Sequence, residues 1–157
     1  MRGTMKIETR IFGTVDIDDE KIIHFPGGIV GFPEMTDFAL IHDEEKGKDV
    51  PIRWLQSLQE KQFAMPVMDP LVVSATYNPE VEEDLLTPLG ALAPEETLVL
   101  VTVSVPKDLT AMSVNLQAPI IINAGTKKAA QIIVNPELYP IKFHIYEILQ
   151  KMKKEGE

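Results

Sequence analysis

The sequence predicts an all-β fold, a single antiparallel barrel-like domain, closed or split, with only short helical turns. Three observations carry this. Apolar and polar residues alternate with period two in several short stretches, the pattern of half-buried strands. Twelve prolines fall at short intervals and exclude long helices, because each removes a backbone donor and clashes with the preceding turn. No strand–helix–strand rhythm and no fixed-period repeat occurs. Closure into a barrel removes the free edges that such strands would otherwise expose.

The elements follow in order. Ile7, Thr9 and Ile11 alternate with Lys6, Glu8 and Arg10 in a first strand, which Gly13 interrupts before a second over residues 14–17. Asp18, Asp19 and Glu20 make a polar turn, and residues 21–25 resume the strand pattern. Pro26, Gly27, Gly28, Gly31 and Pro33 punctuate a loop that carries Ile29, Val30 and Phe32. Further strands are predicted over 38–42, 52–58, 63–67, 71–77, 97–105, 112–116, 120–123, 130–134 and 141–145. The strongest is 97–105, with Val99, Val101, Val103 and Val105 on one face and Leu98, Leu100, Thr102 and Ser104 on the other. Apolar residues on both faces predict a central strand covered for much of its length. Helical candidates are a turn near 34–38, residues 81–86 and the tail 146–154.

At 157 residues the chain is of single-domain size, and a domain this long buries roughly 70 % of the surface its unfolded chain exposes. The domain is expected over 5–146, with a charged tail over 147–157; residues 1–4 read as a cloning remnant or an upstream start before Met5. The absence of cysteine excludes disulfides, thiolate–zinc sites and a cysteine nucleophile. No apolar run approaches the ~20 residues of a membrane helix, and the N-terminus lacks the apolar core of a secretory signal. A cytoplasmic location without membrane association is expected.

Charge is unevenly spread. The net formal charge is −9, yet residues 11–105 hold 18 acids and 5 bases, while the remainder holds 10 bases and 6 acids. A field of that sign repels phosphate, so direct nucleic-acid binding is not expected; it favours a basic partner, although acidic loops also serve solubility alone.

The catalytic inventory is thin. His24, His42 and His144 stand in separate strand-like stretches without metal-ligand spacing, and no Gly-x-Ser-x-Gly elbow occurs. Gly27-Gly28-Ile29-Val30-Gly31 lacks the Lys-Ser/Thr of a phosphate loop, and its glycines suit a tight loop instead. Asp16 to Glu20 begins like a calcium loop, but Lys21 stands where glycine is needed and Gly27 where the closing Glu is needed. No enzyme activity, metal or cofactor is expected. Polar residues embedded in apolar stretches are more informative. Asn115, Gln117 and Asn123 frame the proline-initiated strand Ile120-Ile121-Ile122, where an unpaired amide is costly. They either tie turn backbones or form a hydrogen-bonding rim for a partner. Trp54, in Ile52-Arg53-Trp54-Leu55-Gln56-Ser57, poses the same choice between core and interface.

His24-Phe25-Pro26-Gly27-Gly28-Ile29-Val30-Gly31-Phe32, Trp54-Leu55-Gln56-Ser57, Asp69-Pro70 and Asn115-Leu116-Gln117-Ala118-Pro119-Ile120-Ile121-Ile122-Asn123 together resemble the flagellar assembly factor FliW family. The stretches occur in the family's order over roughly residues 7–139, and Leu98 to Val103 fits the family's central strand. Gln117 departs from the lysine the family pattern leads one to expect, and the lysine-rich tail after Gln150 lies outside the pattern. The resemblance implies a non-catalytic barrel-like protein that antagonises the RNA-binding translational repressor CsrA and also binds flagellin, coupling flagellin translation to its secretion. It is expected to be monomeric on its own. Candidate partner-binding residues are Asn115, Gln117 and Asn123, with the acidic group Glu82, Glu83 and Asp84. A split-barrel flavin oxidoreductase is the alternative from another class; it would need cationic or glycine contacts to the flavin phosphate, and only five bases lie within 11–105.

Overall fold

The computed structural model describes residues 4–9, 12–42, 52–91 and 93–155. Arg10 and Ile11 of the predicted first strand, and residues 1–3, lie outside the described residues. The strands are β1 (Thr4–Thr9), β2 (Gly13–Asp18), β3 (Ile22–His24), β4 (Asp37–His42), β5 (Ile52–Ser57) and β6 (Ala64–Met68). They continue with β7 (Thr97–Ser104), β8 (Ser113–Val114), β9 (Ile120–Asn123), β10 (Lys128–Gln131) and β11 (Phe143–His144). Two helices, α1 (Glu83–Leu86) and α2 (Tyr146–Glu155), complete the set together with several 3₁₀ turns.

Seven strands close a barrel in the order β7-β6-β5-β4-β3-β10-β9, with β9 returning to β7. The predicted all-β barrel is thus observed. Neighbours in the ring are antiparallel except at one seam, where β3 and β10 run parallel through Lys128 and His24, and the His24 amide donates to the Lys127 carbonyl at 2.8 Å. β7 meets β6 on one side and β9 and β8 in succession on the other. It is the central strand the valine pattern predicts: Leu100 faces the barrel interior while Val101 and Val103 pack outward, all three buried.

Alternation along each strand separates two packings. Phe25, Phe38, Leu55, Val67, Leu100, Ile120 and Ile122 fill the interior. Full burial of side chains of this size stabilises by roughly 1.5–3 kcal/mol each. The glycine loop folds into this core: Ile29 and Phe32 exchange backbone hydrogen bonds of 3.1 and 2.7 Å, Ile29 is buried, and Phe32 meets Phe63 edge-on. Outside the barrel, the β1–β2 hairpin covers Ala39 and Ile41 of β4 with Ile7 and Ile17. Trp54 lies half-buried in the same cluster, edge-on to Phe12 at 6.5 Å, so its ring packs a hairpin onto the barrel. α2 sets Ile148 and Leu149 against the outward cluster of Val101, Val103, Val114 and Ile145.

Several predicted elements differ. The strands predicted over 112–116 and 141–145 are cut to the two-residue β8 and β11. Residues 71–77 do not form a strand. The Asp69 carboxylate accepts the Leu71 amide at 2.9 Å and Pro70 opens a 3₁₀ turn over Pro70–Val72, so the Asp-Pro pair overrides the apolar Leu-Val-Val. Near residue 34 the only turn is closed by the Met35 amide on the Phe32 carbonyl, and the chain enters β4 at Asp37. The strand predicted over 130–134 begins two residues earlier. Lys127 takes φ +61°, which closes a tight turn and pairs Lys128 with Asn123.

Candidate partner-binding surface

The polar residues picked out by sequence sit at the two ends of β9. Val103 faces Val114 across the β7–β8 pair, whereas Leu100 faces Ile120 across β7–β9. Three steps along β7 are therefore matched by six along the opposite chain, and the surplus forms a bulge over residues 115–119. Asn115 builds that bulge: its Oδ1 accepts the amides of Gln117 at 3.0 Å and Ala118 at 3.2 Å. Around it, the Leu116 carbonyl accepts the Tyr77 hydroxyl at 2.6 Å, the Leu116 amide donates to Pro140, and the Gln117 carbonyl accepts the Val134 amide at 2.7 Å. Gln117 is half-buried and sets its Nε2 3.5 Å from the Tyr139 carbonyl.

At the far end of β9, Asn123 is 1 % exposed and its amide is fully engaged. Nδ2 donates to the carbonyls of Leu89 at 2.8 Å and Ala91 at 3.0 Å, while Oδ1 accepts the amides of Gly125 at 2.9 Å and Thr126 at 3.3 Å. The Thr126 hydroxyl reaches the same Leu89 carbonyl at 2.9 Å. This knot pins the 3₁₀ turn Thr87–Leu89 that follows α1, and buried Leu89 packs with Ile121 and Ile132. α1 thereby holds Glu83 and Asp84 in its first turn, with Glu82 at its N-cap; all three side chains are exposed. The structure thus joins Asn123 to the acidic group in one substructure and places Asn115 and Gln117 at the opposite end of a four-residue strand.

Between these ends runs a groove of about 540 Å3, walled by residues 68–72, 77–79 and 81 on one side and 97–100 with Arg53, Pro119 and Ile121 on the other. Leu71 and Leu98 line it at 53 % and 41 % exposure, and Val72, Val99, Pro79 and Val81 add apolar wall. Tyr77 anchors the first wall. Its ring stands edge-on to Tyr139 at 5.0 Å, and its pKa is pushed well above the ordinary tyrosine value, first by burial and then by the neighbouring Tyr139. Sequence reasoning missed this groove, because its lining comes from a segment read as a strand. Asp69-Pro70 was the available signal.

The remaining candidates stand apart from it. His24 Nδ1 lies 2.8 Å from the carboxylate of its exposed cross-strand neighbour Asp37, and His144 is exposed in β11. Among the described residues no group of three or more His, Asp or Glu is gathered as a metal site would need. No described helix is long and apolar enough to cross a membrane.

A family model described as FliW protein matches residues 6–145. The chain belongs to the FliW family. It is 40 % identical to the flagellar assembly factor FliW of Lachnospira eligens over 94 % of this chain and 98 % of that one. It is 39 % identical to the same-named protein of Lachnoclostridium phytofermentans over 98 % and 99 % of the two chains. A crystal structure of the flagellar assembly factor FliW superposes with a TM-score of 0.80 at 26 % identity, covering 90 % of this chain and 96 % of that one. In this chain the stretches that carry the resemblance are structural supports. Phe25 and Ile29 fill the barrel, Gln56 donates from a buried position to the Lys61 carbonyl at 2.9 Å, and residues 115–123 form the bulge and the strand beside the groove. The matches name flagellar assembly factors and lend nothing to the flavin alternative.

Proposed function

We propose that this chain acts as a non-catalytic flagellar assembly factor that binds two protein partners in turn, a CsrA-type translational repressor and newly made flagellin. Free flagellin occupies the protein and releases the repressor; export of flagellin reverses the exchange and lets flagellin translation resume. Family membership over residues 6–145 is the observation that carries this reading. The charge distribution supports it, since residues 11–105 hold 18 acids against 5 bases and an RNA-binding repressor presents a basic surface. An acidic surface brought beside the repressor's RNA site would repel the RNA backbone without filling that site. It would not attract nucleic acid itself.

In this reading Glu82, Glu83 and Asp84 face a partner directly. Asn115, Gln117 and Asn123 contribute through the backbone they hold: the bulge that sets Pro119 into the groove wall and the turn that carries α1. The action takes place in the cytoplasm, where both partners are made. The test is titration calorimetry of the full chain with purified repressor and, separately, with purified flagellin. Saturable binding of each is the expected result; heat from neither would overturn the proposal.

A further inference from the structure

We infer that the groove between residues 69–81 and 97–100 is the docking surface for a basic, apolar-faced segment of the repressor; this rests on the function proposed above. Two independent features of the groove define its occupant. The first is its apolar floor and rim. Leu71 and Leu98 are exposed at 53 % and 41 %, side by side with Val99 and Ile121 in one concave surface of about 540 Å3. Concave apolar surface of this kind on a small domain marks a binding site, and apolar anchors seated in such a pocket dominate protein recognition.

The second feature is charge. From residue 62 to residue 106 the chain contains seven acids and no Lys, Arg or His. Asp69 lines the groove; Glu80 and Glu82 flank lining residues Pro79 and Val81; Glu83 and Asp84 follow in α1, and Glu95 and Glu96 lead into lining residue Thr97. Arg53 is the one base among the described lining residues. The lining itself holds one acid and one base, Asp69 and Arg53, while the six acids that adjoin it in sequence make the surrounding stretch acidic; such a slot favours a segment that combines apolar side chains with flanking Lys or Arg and disfavours acidic chains. The wall itself is firm, because Tyr77 is fixed to the Leu116 carbonyl and Leu71 to the Asp69 carboxylate. The groove is therefore formed before a partner arrives.

The experiment measures binding kinetics of purified repressor to the full chain and to two folded variants. Leu71→Ser/Leu98→Ser should weaken affinity at least tenfold, mainly through faster dissociation. Glu82→Lys/Glu83→Lys/Asp84→Lys should slow association severalfold and flatten its dependence on salt. Hydrogen exchange on the wild-type complex, which requires no variant, should show new protection over residues 69–81 and 97–100. Wild-type kinetics in both variants, or protection confined to other elements, would overturn the inference. Variants that bind repressor normally but lose flagellin would assign the groove to flagellin instead, which also overturns it. Failure of the wild-type chain to bind repressor at all would count against the proposed function rather than against the groove.

Discussion

The side-chain amide of Asn123 donates to the backbone carbonyl of Leu89 at 2.8 Å, joining the end of β9 to a turn 34 residues earlier in sequence. That bond and the one to the Ala91 carbonyl fasten the segment after α1 to the barrel, while Oδ1 of the same side chain holds the turn at Gly125 and Thr126. Asn123→Ala would leave the Ala91 carbonyl and the Gly125 amide without this partner. It should cost about 1–3 kcal/mol of stability, read from chemical denaturation, because a donor or acceptor left unpaired in a buried site pays its desolvation. Amide exchange over residues 83–91 should accelerate ahead of the rest of the chain.

Asn115 supports a different structure, the bulge beside β7. Asn115→Ala should lower stability by about 1 kcal/mol, and partner binding should fall in proportion to the loss of folded protein. Binding lost without a matching change in the unfolding midpoint would instead make Asn115 a direct contact.

Gly28 and Gly27 should respond very differently to alanine. Gly28 has φ +72°, and a Cβ there would stand 2.4 Å from the Pro33 carbonyl oxygen, a backbone atom with little room to yield. Gly28→Ala should therefore destabilise by more than ~2 kcal/mol, combining a left-handed backbone with a clash at the loop that carries Ile29. A Cβ on Gly27 meets nothing within 4 Å, so Gly27→Ala should stay within about 0.5 kcal/mol of wild type. Thermal unfolding of the pair gives the comparison.

Tyr77 ties stability to alkaline pH. Burial raises the folded-state pKa of its phenol above the unfolded value of about 10. The folded state therefore keeps the proton that the unfolded state releases, and the contribution, complete below pH ~10, is lost as pH rises through the folded value. The unfolding midpoint should fall above pH ~10, and Tyr77→Phe should flatten that fall. At neutral pH the same variant should cost about 1–3 kcal/mol, because the Leu116 carbonyl loses the donor it has at 2.6 Å.

Much of this architecture is legible in the residues. Apolar residues on both faces of Leu98 to Val103 predict a strand covered for much of its length; Leu100, Val101 and Val103 are buried, while Leu98 opens onto the groove. Glycine and proline spacing over 26–33 predicts a loop, and the loop closes on Ile29 and Phe32. What escaped is set by local chemistry and by tertiary pairing. Leu71-Val72-Val73 reads as a strand by composition, while Asp69 and Pro70 dictate a turn. The parallel β3–β10 seam rests on a single residue pair far apart in sequence, which no local pattern announces. The choice between a structural and a recognition role for the amides required geometry: Asn115 and Asn123 are both visible as embedded polar residues, but only their backbone partners show what each one holds. The groove escaped for the same reason as the turn that builds its wall.

Ionic strength gives a further check on the acidic surface. Association with the repressor should slow as salt rises and the Debye length shrinks from ~10 Å at 0.1 M toward ~3 Å at 1 M, with the rate constant for association changing more than that for dissociation. An association rate unchanged across that range would remove the electrostatic contribution.

The proposed exchange of partners is tested most directly by adding excess purified flagellin to a preformed complex of this chain with the repressor and resolving the products by size-exclusion chromatography with light scattering. Antagonistic binding requires a shared surface or an unfavourable coupling between two sites. The repressor should elute free, with flagellin in its place. A single stable species containing all three proteins would contradict it.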